Sequence, residues 1–337
     1  GEAGGQQAHA ARGEVDLHRH VHRLGRRGVE ERRRQPVRTT VVGRPEQDRD
    51  AVDRRRGDLR YKQAGRGGIG TVLRDKRIKA VVVRSPRVQA DSNDPADMTR
   101  LASTGAEMHR EVHEFDSIQN HMRTGGTSYL VKIMDDYDLL PVYNYKYGSH
   151  PDSVQIARDV WEARFTQGLP YGCWYGCTVG CAHAVDGYEV RTGPHQGQRV
   201  IVDGPEYETI AGVGSNCGIF DPGAILEINF YCDTYGIDTI SFGTAMAFVM
   251  ECFEAGVLDA DKTGGLELGF GNADAAIEAL HQAGRGEGFG AIIGQGVRRM
   301  KSDFVERFGA EDGRADDLPR DVARRGLQDV DVQVLVG

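Results

Sequence analysis

The chain has 337 residues, a formal charge of −8 and six cysteines. The length suits roughly two domains with a core of ordinary size, the mildly acidic balance gives no support to a dedicated nucleic-acid binder, and no apolar run approaches the ~18 residues of a bilayer-spanning helix. No secretory h-region is evident, so a cytoplasmic setting is expected, where thiols stay reduced and clustered cysteines bind metal sooner than they pair.

The composition changes along the chain. Residues 1–60 hold 15 arginines, no lysine and no Phe, Tyr or Trp, and residues 311–337 hold four arginines, no lysine and no aromatic residue. Residues 1–60 keep no sustained period of 2 or 3.6. Three readings stay open for these stretches. A disordered basic arm would bury too little surface to fold. An arginine-rich RNA-binding arm would be diluted by its own acids, Glu30, Glu31, Asp48, Asp50 and Asp53. Wrong-frame translation of a GC-rich gene yields strings rich in Arg, Gly, Ala and Val. The last is the expectation, and translating the other frames tests it. No recognisable domain is assigned to 1–60 or 311–337.

Between these ends the chain reads as ordinary protein. Residues 64–70, AGRGGIG, form a glycine-rich loop, and a short apolar strand is predicted over 80–83. Residues 85–97, with Pro86 and Pro95, read as a linker. A helix is predicted from about 95 to 115, with Met98, Leu101, Met108, Val112 and Phe115 on one face. Residues 139–151, with Tyr143, Tyr145 and Tyr147, read as an extended loop, and 152–166 as a helix. Asp221-Pro222 predicts an N-cap with proline at the first helical position, and that helix should run to Tyr235 and stop at Gly236. Helices are also predicted over 241–256, buried nearly all round, over 272–283 and over 288–308.

The segment GCWYGCTVGC places Cys173, Cys177 and Cys181 four residues apart, each preceded by glycine. Three thiolates this close can converge on one metal centre, and iron–sulfur clusters take three local cysteines and one distant one. Two alternatives remain: a zinc site with His183 as fourth ligand, and a helix carrying the cysteines as small hydrophobes, which Gly176 and Gly180 oppose. Cys232 and Cys252 read as buried thiols.

Downstream, GPEYET puts Glu206 and Glu208 two apart, on one face if the chain is extended. One buried carboxylate of raised pKa there would move a proton. Glu227 and Asn229 interrupt an apolar helix start, a position that more often caps or faces solvent than binds metal. The Asp233–Asp238 segment, DTYGID, ends one helix and precedes another, which leaves backbone groups free for a ligand or serves as a plain C-cap.

The order of AGRGGIG, DKRIKAVVV, the cysteine run, GPEYET, GVGSNCGIFDP and CDTYGIDTISFGTAMAFVMECFEAG resembles the aldehyde ferredoxin oxidoreductase family of tungsten enzymes, over residues 61–310. The resemblance implies an α+β fold. The end of an N-terminal β-rich pterin-binding domain, 61–94, precedes a mostly α-helical and incomplete domain over 95–310. It implies a tungsten (or molybdenum) bis-pterin and a [4Fe–4S] cluster, an aldehyde substrate oxidised to a carboxylic acid, and electrons passed to ferredoxin or a small iron–sulfur subunit. A homodimer is compatible with it.

By the same resemblance Cys173, Cys177 and Cys181 are cluster ligands, with Trp174 where the family has its first cysteine. Asp233, Gly236, Ile237 and Asp238 match a pterin-binding motif, and Arg66, Gly67 and Gly68 belong to a pterin phosphate loop. Glu208 matches the glutamate beside tungsten and is the proton-transfer candidate. Glu227 matches a glutamate that in some members binds an iron at the dimer interface, with Phe230 where a supporting histidine would stand. A fourth cluster cysteine and a second pterin motif do not follow Ala310. Three other readings compete: an aromatic acyl-thioester reductase, a non-enzymatic iron–sulfur electron carrier, and an inactive fragment.

Overall fold

The structure is a computed structural model and describes residues 76–77, 96–119, 121–166 and 177–308. The loop with Arg66, Gly67 and Gly68, the strand expected over 80–83, Cys173 with Trp174, and both arginine-rich ends lie outside the described residues. So does the expected β-rich part. What is described is mostly helical, with one two-stranded antiparallel sheet.

Helix α1, Met98–Ile118, begins where Asp97 accepts a hydrogen bond from Arg100 N at 2.9 Å. Met98, Leu101, Met108 and Phe115 share a side of it, as expected, but all stand exposed. Its buried residue is Asp116, which accepts from Met122 N and Arg123 N at 2.8 and 3.1 Å. Those donors open helix α2, Met122–Gly125, followed by a 3-10 turn over Gly126–Tyr129 and helix α3, Leu130–Asp136.

Residues 139–151 are not extended throughout. Val142 pairs with Tyr147 in an antiparallel bridge around a tight turn, and Tyr143, Asn144 and Tyr145 are all left-handed, at φ 49, 54 and 61°. The helix expected over 152–166 is two pieces, a 3-10 turn at Pro151–Ile156 and helix α4, Arg158–Glu162. Side-chain bonds replace the missing backbone ladder there. Asp135 accepts from His150 N and Ser153 Oγ, both at 2.8 Å, and Trp161 Nε1 donates to Ile156 O at 2.8 Å.

The hairpin had no reading in the sequence. Strand β1, Ala184–Glu189, pairs with β2, Arg199–Asp203, in the register Ala184 to Asp203. A bulge falls between Asp186 and Tyr188, where Gly187 takes φ 75°. Short helix α5, Tyr207–Thr209, then leads into a π turn, Ile210–Gly214, and a 3-10 turn, Ser215–Cys217.

Helix α6 is Pro222–Tyr235, capped by Asp221 accepting from Gly223 N at 2.8 Å and closed by left-handed Gly236, as its sequence predicts. Helix α7, Thr239–Glu254, forms the middle of the core, and every residue from Ser241 to Cys252 is buried. Gly243 allows its close approach to the π turn, because a Cβ there would stand 2.5 Å from the Gly212 carbonyl. Helix α8 is Ala273–Arg285, capped by Asn272. The helix expected over 288–308 breaks into α9, Gly290–Ile293, and α10, Val297–Phe308, at Gly296, whose φ is 84°. Phe304 of α10 stacks 6.1 Å from Phe248 of α7. Among the described residues no helix is long and apolar enough to cross a membrane.

Candidate functional site

Three motifs far apart in sequence are tied together by three side-chain bonds. Arg123 Nη1 donates to Thr178 O at 2.5 Å and so grips the loop between Cys177 and Cys181. Four residues on, Thr127 Oγ1 donates to Glu206 Oε2 at 2.6 Å and accepts from Tyr207 N at 2.8 Å. Thr209, at the end of GPEYET, shares a hydroxyl–hydroxyl bond of 2.8 Å with Thr239, the residue after Asp238. The cysteine loop and the acidic motif thus meet at residues 122–129, and the acidic motif in turn joins the DTYGID junction. Sequence reading missed Arg123 and Thr127, because nothing local marks a residue whose partner lies dozens of positions away.

The cysteines fall into two groups. Cys177 and Cys181 are partly exposed, whereas Cys217, Cys232 and Cys252 are buried. Burial pushes the Cys217 and Cys232 thiols far up and Cys252 to about 12, so these three behave as inert small hydrophobes. Gly180 beside Cys181 has φ 57°, a turn its neighbour's glycine permits. Cys181 also lies near Tyr129, whose phenol is raised by burial first and then by Asp116 and Cys181.

His183 does not join the two cysteines. Among the described residues, no three His, Cys, Asp or Glu side chains are grouped to hold a metal ion. The third cysteine of the run, Cys173, lies outside the described residues. The His183 ring is buried, stacks on Phe165 at 4.6 Å and places Nε2 3.1 Å from Met122 O. A carbonyl only accepts, so Nε2 carries the proton.

GPEYET is not extended, contrary to expectation. Glu206 precedes α5 and Glu208 lies in its first turn. A helical turn separates side chains two residues apart by about 200°, so they do not share a face. Glu206 is held by Thr127, while Glu208 is exposed rather than buried. Tyr207 between them is pushed up to about 12 by burial, with Glu208 and Tyr145 adding. Tyr145 comes from the left-handed turn. That turn is pinned by Asn144 N to Asn216 O at 2.9 Å, Tyr145 N to Asn216 Oδ1 at 3.1 Å and Asn144 Nδ2 to Glu251 Oε2 at 2.6 Å. Three non-glycine residues held left-handed cost on the order of 1–3 kcal/mol each, a strain that collects at functional sites.

At the DTYGID junction, Gly236 is the left-handed C-cap of α6 and Asp238 the N-cap of α7, accepting from Ser241 N at 3.0 Å and Ser241 Oγ at 2.6 Å. Ile237 is buried and Asp233 half-buried. The capping reading therefore holds: Gly236 N and Ile237 N close the end of α6 on Asp233 O and Cys232 O, next to the Asp238 cap of α7.

Glu227 and Asn229 neither cap nor face solvent. Glu227 is fully buried. It accepts from Tyr188 Oη at 2.7 Å, Thr192 Oγ1 at 2.7 Å, Thr192 N at 2.9 Å and Arg191 N at 3.1 Å. Asn229 Nδ2 donates to Asp203 O at 2.7 Å. The donors come from the hairpin, which the sequence did not reveal. Both Glu227 oxygens are occupied within the chain, a poor fit for an interface iron ligand.

A family model described as "Aldehyde ferredoxin oxidoreductase, domains 2 & 3" matches residues 103–323. Tungsten-containing aldehyde ferredoxin oxidoreductases of Pyrococcus horikoshii and Pyrococcus abyssi are each 30% identical over 254 residues, 72% of this chain and 38% of theirs. A Pyrococcus furiosus protein named aliphatic sulfonate oxidoreductase, WOR-like subunit, is 31% identical over 254 residues, 74% of this chain and 38% of its own length. The chain thus spans 38% of the length of these relatives. The motif order in the sequence and the matched span agree, and the chain belongs to the aldehyde ferredoxin oxidoreductase family.

Proposed function

We propose that this chain carries the cluster- and pterin-binding part of an oxidoreductase that converts an aldehyde to a carboxylic acid. The observation that carries this reading is the joining of three motifs through Arg123–Thr178, Thr127–Glu206 and Thr209–Thr239. Family membership supplies the class, and the arrangement supports the roles.

The donor sets suit the groups. Cys177 and Cys181 keep half-exposed thiols on a loop gripped by Arg123, which suits iron–sulfur ligation. Cys173 is the third ligand in this reading. Asp233, Gly236, Ile237 and Asp238 hold pterin at the paired helix ends, and Arg66, Gly67 and Gly68 take its phosphate. When bound, the tungsten (or molybdenum) bis-pterin supplies two-electron redox chemistry and the [4Fe–4S] cluster passes electrons singly.

The chain's own residues then handle substrate and protons. Aldehyde and water give acid, two protons and two electrons. The exposed Glu208 carboxylate takes one proton and the second passes to solvent. Tyr207, kept neutral by burial, offers its hydroxyl proton to the substrate carbonyl. Glu227 stays an internal anchor. The electrons leave to ferredoxin or an iron–sulfur subunit, in the cytoplasm, from a homodimer.

One relative supports a second reading. The 31% identity to a sulfonate oxidoreductase subunit favours an enzyme that works on a different substrate class beside a separate partner subunit. The test is metal analysis of the full-length protein with a dye-reduction assay on aldehydes and on sulfonates. Tungsten or molybdenum with aldehyde-dependent reduction is expected. Neither metal and no aldehyde activity overturns the first reading.

A further inference from the structure

A second buried network lies behind the DTYGID junction, centred on His281 of α8. This histidine is 2% exposed. Its Nε2 lies 2.9 Å from Thr192 Oγ1 and its Nδ1 2.8 Å from Tyr235 Oη, with the Tyr231 ring edge-on at 4.4 Å.

The hydroxyls decide the tautomer. Thr192 Oγ1 has one proton and lies 2.7 Å from Glu227 Oε1, which also takes Thr192 N–H and acts as acceptor. That proton goes to Glu227, so Thr192 Oγ1 accepts from His281 Nε2–H. Nδ1 is then a bare lone pair, and Tyr235 Oη donates to it. The bonds run one way, from Tyr235 through His281 and Thr192 to Glu227, each polarising the next.

Two glycines make room for this chain. A Cβ on Gly193 would stand 2.3 Å from His281 Cε1, and one on Gly284 2.5 Å from the Tyr235 ring. Gly284 sits inside α8, where glycine weakens a helix relative to alanine. The helix bears that cost at the one place where Tyr235 lies against its backbone.

Tyr235 belongs to the Asp233–Asp238 segment. We propose that His281, as the neutral Nε2–H tautomer, is a positioning residue for that segment, holding it against α8 and the hairpin in the geometry that retains pterin. The inference rests on the reading that Asp233–Asp238 binds pterin. It adds a residue remote in sequence from every motif of that site.

The experiment uses the full-length enzyme with Tyr235→Phe, His281→Leu and His281→Gln. Tungsten and pterin per chain are measured after dialysis, with KM and kcat on an aldehyde and a melting curve for each. Tyr235→Phe removes one hydroxyl and should still fold, while retained pterin falls about 10-fold, the effect of one such bond by the usual tenfold-per-1.4 kcal/mol conversion. His281→Leu should lose pterin similarly where it folds. His281→Gln keeps an N–H for Thr192 and an acceptor for Tyr235, and should restore retention and kcat to within about threefold of wild type. Wild-type pterin content in Tyr235→Phe, with only a lowered melting point, overturns the proposal alone. A wild-type enzyme without pterin overturns the reading beneath it, and the proposal with it.

Discussion

Thr127 and Glu206, 79 residues apart, share a hydrogen bond of 2.6 Å, and the same threonine hydroxyl accepts from Tyr207 N. One side chain therefore anchors the start of the turn that presents Glu208. Thr127→Val keeps the shape and removes both bonds. The loss should be about 1–3 kcal/mol of stability, because the Tyr207 amide loses its acceptor and the Glu206 carboxylate a donor. Aldehyde turnover should fall further than stability, and comparing melting curves with kcat separates the two.

The five described cysteines should react in two classes. In cluster-free protein Cys177 and Cys181 are partly exposed and should alkylate first. Cys217, Cys232 and Cys252, with thiols raised by burial, should stay unmodified until the chain unfolds. Timed alkylation read by mass spectrometry checks this. In the loaded enzyme, Cys177→Ala or Cys181→Ala should abolish visible cluster absorbance, and Cys232→Ala should not.

His281 gives the fold a pH dependence of known sign. Burial is the largest influence and lowers its pKa. Glu278 and Glu227 pull the other way, and Arg285 reinforces the lowering. The native state then binds fewer protons than the unfolded chain below the unfolded value of about 6.5. Its contribution is complete above that pH and is lost as pH falls toward the native pKa. Melting temperature should drop between pH 7 and 5, and His281→Gln should flatten that slope.

Glu227 tests as an internal anchor. Glu227→Ala strands the Thr192 hydroxyl proton and the amides of Arg191 and Thr192, and leaves Tyr188 Oη only the Gly223 carbonyl. A loss of about 3–5 kcal/mol is expected, as for removing one partner of a buried charged network. Urea midpoints measured with and without added iron should show the same loss.

Gly243→Ala tests the packing of α7 on the π turn. The added methyl would sit 2.5 Å from Gly212 backbone atoms that cannot swing aside. Overpacking of this kind costs about 1–3 kcal/mol. A melting curve checks it, with Gly187→Ala, which meets nothing within 4 Å but sits at φ 75°, as a comparison for backbone strain alone.

The features legible in the sequence are those whose causes are local. Asp221-Pro222 and Gly236 bound α6, and Asp238 starts α7, because a cap bonds to backbone within three residues. The unbroken apolar character of 241–256 likewise foretold a helix buried on all sides. The motif order was enough to identify the family. Tertiary contacts decided the rest. Glu227 is buried because donors 35 to 39 residues away arrive on a hairpin. Residues 143–145 turn left-handed because Asn216 and Glu251 pin them. GPEYET coils, and Glu208 faces outward, around a hydroxyl 79 residues upstream of Glu206. Capping chemistry and apolar periodicity act over one or two turns and so can be read along the chain. A buried hydrogen bond depends on which distant group the fold delivers, and only the assembled structure specifies that.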